Sequence, residues 1–223
     1  MKKTSKNFQS IINISKCIYI IFVVSVISIG TTGSYFSDTV VISGNQFSTV
    51  TWSNIVINEV YYDTDCLTFG NGGGKKTEEE GKNEWIELYN KSDADVNLKG
   101  WTIGNSVTEF TINPASAIIP AHGFLLLSHD NDTWKFWSVS GIETVNLGGS
   151  VNDGWLINTG DWVYLKDASN NIVDEMSFGD IKTAFDLSAL GVSEGTSFER
   201  SPDGTDTNTS ADFIKMTTPT PGS

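Results

Sequence analysis

The chemistry that this sequence could support starts with two glutamates, Glu59 and Glu87, each inside a short segment that mixes apolar and polar residues. A pair of carboxyl groups on neighbouring strands is the arrangement that glycoside hydrolysis uses. The same side chains can instead bind backbone groups at a sheet corner, or face solvent between apolar neighbours. We expect one of these structural roles, and we predict no catalytic residue.

Histidine is sparse, which limits nucleophilic and metal chemistry. The two histidines are His122, in a predicted turn, and His129, at a predicted strand end. They can share a metal only if the intervening strand turns back. We predict no nucleophile elbow, and the Ser-x-x-Lys and His-Glu-x-x-His patterns are absent.

The most suggestive ion site is an oxygen-rich stretch near the end of the chain. Its candidate ligands are Asp203, Asp206, Asn208 and Asp212. Oxygen side chains at alternate positions could surround calcium, although the glycine and distal glutamate of the helical calcium loop are missing. Asx turns that lead into a last strand explain the same composition without an ion. Both interpretations stay open, with no other cofactor predicted.

Two long connections interrupt the strand pattern, at Tyr62 to Lys82 and at 128–160. The first contains a glycine cluster and a charge run without the spacing of a phosphate-binding loop, so it is predicted to be a mobile loop. The second carries Trp134, Phe136 and Trp137. These aromatic residues either form an exposed contact surface or cap one end of the core, because long loops often carry binding residues.

The first 34 residues are typical of a secretion signal. Lys2, Lys3, Lys6 and Lys16 precede a run of about a dozen apolar residues, which is short of the roughly 20 that span a bilayer. Removal of this segment leaves 10 basic and 27 acidic residues, a net charge of −17. Such a surface disfavours unaided binding to nucleic acid and to anionic lipid. Cys66 would be the remaining cysteine, so no internal disulfide is expected.

The rest of the chain indicates an all-β protein. Val, Ile, Thr and aromatic residues are interrupted every ten residues or so by Gly, Asn and Asp. Residues 35–53 are predicted to form an extended arm or an edge strand, and residues 54–222 one β domain. The predicted core consists of Trp85, Ile86, Leu88, Leu98, Trp101, Ile103, Phe124, Leu126, Val163 and Leu165.

Several motifs, in order, resemble the lamin-tail domain of nuclear lamins and of secreted bacterial proteins. They are Ile55 to Val60, Glu84 to Asn90 with Leu98 to Ile103, Ile119 to Leu127, Gly160 to Asp167 with Ile172 to Asp174, and Ser197 to Gly204 with the final residues. The resemblance implies an immunoglobulin-like sandwich of two antiparallel sheets. It also implies a non-enzymatic interaction or adhesion module that contacts a protein or a component of the cell envelope.

The segment after the apolar run resembles precursors of camelysin and of biofilm-fibre proteins, which Gram-positive signal peptidases process. That likeness implies cleavage between Ser34 and Phe36, next to Tyr35, and a secreted or cell-surface location; an uncleaved segment would anchor the chain. Two alternative functions follow from these resemblances. One is an accessory domain for a separate extracellular nuclease or phosphatase, dependent on calcium, and the other is a biofilm or matrix component.

Overall fold

The computed structural model describes residues 40–42, 45–47, 54–64, 83–130, 132–135, 137–148 and 155–223. The predicted signal, its cleavage region from Ser34 to Phe36, Cys66 and Phe136 lie outside the described residues. Most of the predicted Tyr62 to Lys82 loop does so too. No helix within the described ranges is long and apolar enough to cross a membrane.

The chain divides into two compact units, residues 1–51 and 52–223. In the first unit, strand β1 (Val40–Ile42) pairs with strand β2 (Asn45–Phe47) in an antiparallel hairpin. This hairpin lies within the segment for which the sequence predicts an extended arm or an edge strand.

The regular elements in the described part of the second unit are strands and short 3-10 helices. The 3-10 helices span Thr133–Lys135, Ser188–Leu190 and Ser210–Asp212. The strands are β3 (Ile55–Tyr61), β4 (Trp85–Asn90), β5 (Val96–Asn97), β6 (Thr102–Gly104), β7 (Glu109–Thr111), β8 (Ile118–Ile119), β9 (Phe124–Ser128), β10 (Glu143–Asn146), β11 (Trp162–Lys166), β12 (Ile172–Ser177), β13 (Ser197–Arg200) and β14 (Phe213–Met216).

These strands form two main sheets and one small one. The larger sheet has the order β10-β9-β4-β3-β13-β14, the smaller main sheet has the order β12-β11-β6-β7, and β5 pairs with β8. The all-β prediction is confirmed. One detail differs from the prediction of antiparallel sheets, since β10 runs parallel to β9, with Glu143 opposite Leu125.

The main core lies between the two sheets and contains alternate residues of their longer strands. The predicted core residues found there are Ile86, Leu88, Leu98, Ile103, Val163 and Leu165, with Trp101 packed against them. Trp85 and Leu126 are also buried, but they belong to a second cluster with Tyr61. Phe124 is only partly buried and contacts Tyr89. The outer face of the larger sheet is therefore covered as well, a feature that the sequence pattern did not predict.

The chain changes sheets after β4 through a corner organised by Asn90. Its side-chain amide donates hydrogen bonds to the carbonyl oxygens of Ala94, Ile119 and Pro120, at 2.8, 3.1 and 3.0 Å. Its Oδ1 accepts from the backbone N–H of Ser92 at 3.0 Å. A short polar side chain that bonds its own turn in this way fixes the chain path locally. The sequence predicts a hairpin or a sheet-switching corner here, and the structure has the corner.

Candidate functional site

Three carboxyl groups form a row across the outer face of the larger sheet. Glu59 on β3 stands opposite Glu87 on β4 and also opposite Glu199 on β13. Glu59 and Glu87 are fully buried. We call Glu87, Glu59 and Glu199 the carboxylate row. The two glutamates singled out from the sequence are therefore direct neighbours in the sheet.

A bulge at Asn58 helps to organise the row. The register between β3 and β4 shifts between Ile57 and Glu59, and a residue inserted in this way redirects a side chain. The Nδ2 of Asn58 donates to Glu87 Oε1 at 2.8 Å and to Asp203 Oδ1 at 3.0 Å. Its Oδ1 accepts from the backbone N–H of Gly204 at 2.9 Å.

The C-terminal segment, residues 217–223, supplies further donors to the row. The backbone N–H of Thr220 lies 3.2 Å from Glu59 Oε1, and that of Gly222 lies 2.6 Å from Glu87 Oε2. The hydroxyl of Thr220 lies 3.4 Å from Glu59 Oε2 and 3.3 Å from Glu199 Oε2. Ser197 also donates its hydroxyl to Glu59. The predicted hydrogen bonding to backbone is present, but it occurs on two central strands of the larger sheet and not at a sheet corner.

Burial has a large effect on the acidity of the row. Loss of solvation raises the pKa of Glu59 from 4.5 to about 7 and that of Glu87 to about 8, because the charged form is disfavoured away from water. Burial also raises the pKa of Glu199. Shifts of this size are typical of catalytic acids and also of structural groups. Here the contacts of both glutamates are with groups of the chain itself.

A second polar cluster is centred on Arg200, which is fully buried between the sheets. Its Nη2 lies 3.0 Å from both carboxylate oxygens of Asp174 on β12, so the pair joins the two sheets. Its Nη1 lies 3.2 Å from Asp212 Oδ2, and its Nε donates to the carbonyl oxygen of Ile57 at 2.9 Å. The guanidinium also stacks on Phe213, 4.5 Å from the ring centroid. A planar, always charged guanidinium suits such a buried position.

The predicted calcium ligands lie around this cluster. Asp206 Oδ1 lies 3.6 Å from Nη1 of Arg200, and Asp206 Oδ2 lies 3.2 Å from Nζ of Lys91. Asp212 accepts from the N–H and hydroxyl of Thr207 and closes a capping box at the 3-10 helix Ser210–Asp212. Asn208, at φ 55°, donates its N–H to Asp206 Oδ1 at 3.3 Å, as in an Asx turn.

Asp203 is linked to the carboxylate row through Asn58, so the four predicted ligands are divided between two clusters. Among the described residues, no group of three or more His, Cys, Asp or Glu side chains is placed to hold a metal ion. Calcium binding by this stretch stays one of two open interpretations, the other being a structural turn.

At one end of the sandwich, buried carboxylates accept hydrogen bonds from the backbone N–H groups of the loops. Oε2 of Glu84 accepts from the N–H groups of Trp155 and Leu156 at 2.5 and 2.7 Å. The carboxylate of Asp161 accepts a hydrogen bond from Nδ2 of Asn105 at 2.9 Å. It also accepts hydrogen bonds from backbone N–H groups of the same region. The acceptors therefore fix the loops around Asn105 and Trp155.

His129 lies at this end of the sandwich and is buried. Its ring centroid lies 5.2 Å from that of Phe110 and 6.5 Å from that of Trp155. Burial lowers the pKa of His129, which favours a neutral imidazole. Its Nε2 and the Nε1 of Trp155 have no hydrogen-bond partner in the described part of the chain. His122, by contrast, lies in its predicted turn, with Nε2 2.8 Å from Asp93.

Trp134 and Trp137, two of the predicted loop aromatics, cover the second hydrophobic cluster. Trp137 makes edge contacts with Tyr61 and Trp85, each with ring centroids 5.5 Å apart. Trp134 packs against the same cluster, and both indoles are partly exposed. They thus lie on the outer face of the larger sheet, neither fully exposed nor at an end of the main core.

The pattern Gly-x-Ser-x-Gly does occur in the sequence, from Gly191 to Gly195. In the structure it connects the 3-10 helix Ser188–Leu190 to strand β13, whereas a nucleophile elbow connects a strand to a helix. The backbone N–H of Ser193 donates to the hydroxyl of Tyr62 at 3.0 Å, and its Oγ accepts from Lys215 at 3.1 Å. The local structure is not that of a nucleophile elbow.

Comparison with protein families agrees with this architecture. The sequence model of the Lamin Tail Domain matches residues 48–180, more than half of the chain. The chain belongs to the lamin tail domain family. None of the curated proteins with which the chain was compared matches it.

The family match ends before two strands of the larger sheet. Strands β13 and β14 lie beyond residue 180, yet β13 pairs with β3 and carries both Glu199 and Arg200. The lamin tail domain is a non-catalytic, immunoglobulin-like fold, and in this member the C-terminal residues complete it.

Sequence reasoning did not assign a role to the residues that organise this lamin tail domain most strongly. Arg200, Asp174 and Asp161 lie within the motifs that resemble the family, and the sequence alone gives them no role. A signal was present, because a charged residue within an apolar strand pattern is rarely buried without a partner. The partner of Arg200 is Asp174, 26 positions earlier in the sequence, and the packing of the two sheets brings them together.

Proposed function

We propose that this lamin tail domain protein is a non-enzymatic interaction module that acts outside the cell, either secreted or at the cell surface. The groups best suited to acid–base chemistry, Glu59 and Glu87, are engaged by the C-terminal segment. The observation that carries the proposal is an exposed apolar tip held by a buried polar network.

The tip consists of Val107 and Ile157, whose exposed fractions are 73% and 38%. The backbone N–H of Val107 donates to Oδ1 of Asn105 at 3.0 Å, and that of Ile157 donates to Oδ2 of Asp161 at 3.2 Å. Asn105 and Asp161 bind each other and are buried. A rigidly held apolar contact loses little conformational entropy on binding, which favours affinity.

The charge of the protein narrows the class of partner. The net charge of −17 after signal removal disfavours nucleic acid and anionic lipid, so a protein or another envelope component is the expected partner. Extracellular action rests on the secretion signal that the sequence predicts for residues 1–34.

The test is sedimentation of the purified protein with washed cell envelopes from a Gram-positive bacterium. We expect saturable binding that falls at least fivefold in Val107→Glu. The matched control is Ile214→Glu, at a residue with an exposed fraction of 42% on β14 of the other sheet, which should bind like the wild type. Absence of wild-type binding, or equal loss in both variants, would contradict the proposal.

A further inference from the structure

The outer face of the smaller main sheet carries two aromatic rings flanked by carboxylates. The pairings place Glu109, Gly104, Tyr164 and Glu175 in one row across β7, β6, β11 and β12. The residues between them along these strands, such as Val163 and Leu165, belong to the main core. We propose that this face, centred on Trp162, binds a neutral saccharide, and this inference deepens the interaction function proposed above.

The first element of the site is an aromatic platform. The rings of Trp162 and Tyr164 have centroids 4.4 Å apart with an interplanar angle of 40°. Gly104 allows this arrangement, because a Cβ there would lie 2.5 Å from Cζ and Oη of Tyr164. Tyr164 is 5% exposed, whereas Trp162 is partly exposed and offers its surface to a ligand.

Hydrogen bonds fix both rings in place. Nε1 of Trp162 donates to Oε2 of Glu175 at 2.8 Å, and the hydroxyl of Tyr164 donates to Oε1 of Glu109 at 2.7 Å. The backbone N–H of Trp162 is held by Oδ1 of Asp161 at 2.8 Å. Rings fixed before binding lose little freedom when a ligand stacks on them.

The same carboxylates retain acceptors for a ligand. Oε1 of Glu175 and Oε2 of Glu109 have no hydrogen-bond partner in the described part of the chain, and the side chain of Glu109 is 48% exposed. Thr102 and Thr111 lie opposite each other in the neighbouring row and add hydroxyl groups. A hydroxyl that donates to a carboxylate forms a short, charge-assisted hydrogen bond.

These features together select a neutral polyhydroxylated ring. The C–H face of such a ring can cover Trp162 while its hydroxyl groups reach the carboxylates. Small-ligand sites commonly combine an apolar contact with a few well-placed polar groups in this way. An apolar helix would bury both carboxylates without a partner, which is costly. Anionic ligands would be repelled by them.

A cationic peptide is the main competitor, since carboxylates and aromatic rings also attract cations. A cation of the protein already occupies this place, because Lys166 contacts Glu109 and its Nζ lies 4.7 Å from the centroid of the Tyr164 ring. A second cation would meet Lys166, whereas a neutral ring would not. The observations therefore favour the saccharide.

The test is calorimetric titration of the purified protein with neutral hexasaccharides: cellohexaose, hexa-N-acetylchitohexaose and mannohexaose. We expect at least one to bind saturably, with at least tenfold weaker binding in Trp162→Ala. Thr111→Arg, an exposed substitution that blocks the face without altering the core, should have the same effect. The matched control is Trp134→Ala, at a partly exposed indole over the other sheet, which should bind like the wild type.

Each other outcome overturns the inference. Absence of hexasaccharide binding, binding unchanged in both Trp162→Ala and Thr111→Arg, or binding of an arginine-rich hexapeptide instead would each exclude the neutral saccharide. If the wild type still sediments with cell envelopes in that case, the interaction function stands without the saccharide. If it does not, both proposals fail.

Discussion

At the scale of single residues, Arg200 is the side chain whose loss should matter most. It is fully buried and contacts Asp174 and Asp212, so Arg200→Met leaves two carboxylates without their cation. Removing one partner of a buried ion pair costs about 3–5 kcal/mol. Denaturant unfolding at pH 7 measures this loss.

The control for that variant is Lys182→Met, which removes an exposed pair with Asp186 and should leave the unfolding midpoint unchanged. Adding Asp174→Leu to Arg200→Met should restore part of the lost stability, because one unpaired charge is gone. Equal midpoints for Arg200→Met and Lys182→Met would show that the buried pair is not a main support of the fold.

The carboxylate row predicts a pH dependence of stability. Folding raises the pKa of Glu59 to about 7 and that of Glu87 to about 8, so above pH 4.5 the unfolded chain releases protons that the folded chain retains. The row therefore stabilises the fold fully below pH 4.5, and this contribution is lost as pH rises through 7 to 8. One pKa unit is about 1.4 kcal/mol, so Glu59 alone accounts for roughly 3 kcal/mol.

The comparison that isolates this effect is the wild type against the double variant Glu59→Gln/Glu87→Gln, unfolded by denaturant at pH 5, 7 and 9. Glutamine keeps the size of the side chain and cannot ionise. We expect the wild type to lose stability relative to the variant between pH 5 and pH 9. Parallel stability curves would mean that the row does not stay protonated in the folded protein.

Residue roles were only partly predictable from the sequence. The structural use of Glu59 and Glu87 could be predicted because each lies within a strand pattern. The role of Arg200 could not, since its partner Asp174 belongs to the other sheet and no local pattern names it. The covered outer face was missed for the same reason, because Trp85 and Leu126 become buried through contacts with the distant loop of Trp134 and Trp137.

At the scale of elements, the C-terminal segment can be tested with two matched glycines. Gly222 and Gly141 have φ values of 86° and 87°. A Cβ added at Gly222 would lie 2.8 Å from Cγ1 of Ile142, whereas a Cβ added at Gly141 would have no atom within 4 Å. Gly141→Ala should cost about 1 kcal/mol for its positive φ. Gly222→Ala should cost about 1–2 kcal/mol more, because the segment must move from Glu87.

Thermal unfolding measures both variants, and amide hydrogen exchange at Thr220 shows whether the segment has left the carboxylate row. Faster exchange in Gly222→Ala alone is the expected result. Equal losses of stability with unchanged exchange would show that the segment does not depend on this close contact.

The Asp203 to Asp212 element gives a separate prediction about calcium. Arg200 and Lys91 already neutralise Asp206, and Arg200 also contacts Asp212, so we expect no change in the thermal midpoint with calcium relative to a chelator control. A ligand that binds only the folded form adds about 2.7 kcal/mol at a hundredfold excess over its dissociation constant. A saturable rise that Asp206→Ala abolishes would establish a metal site instead.

The long strands were predictable and the short ones were not. Strands β3, β4, β9, β11 and β12 lie in the motifs that resemble the lamin-tail domain, and β4 also shows the mixture of apolar and polar residues typical of a half-buried strand. The two-residue pair β5 and β8 has no such pattern. The parallel pairing of β10 depends on where the loop after β9 returns to the sheet, which is a tertiary effect.

At the scale of the whole molecule, the lamin tail domain could be identified because several motifs occur in the right order. The fold follows from that order, but its use does not, since one fold supports many functions. The features that we propose to bind partners, the Val107 tip and the Trp162 face, depend on how the loops and strands meet in space.

The most direct test of the account is the location of the protein in a culture of a secreting Gram-positive host, read with an antibody after fractionation and external protease treatment. We predict a protease-accessible protein at the cell surface or in the medium, with a new N-terminus between residues 34 and 36. A protease-protected protein inside the cell that keeps its first residues would contradict an extracellular interaction module.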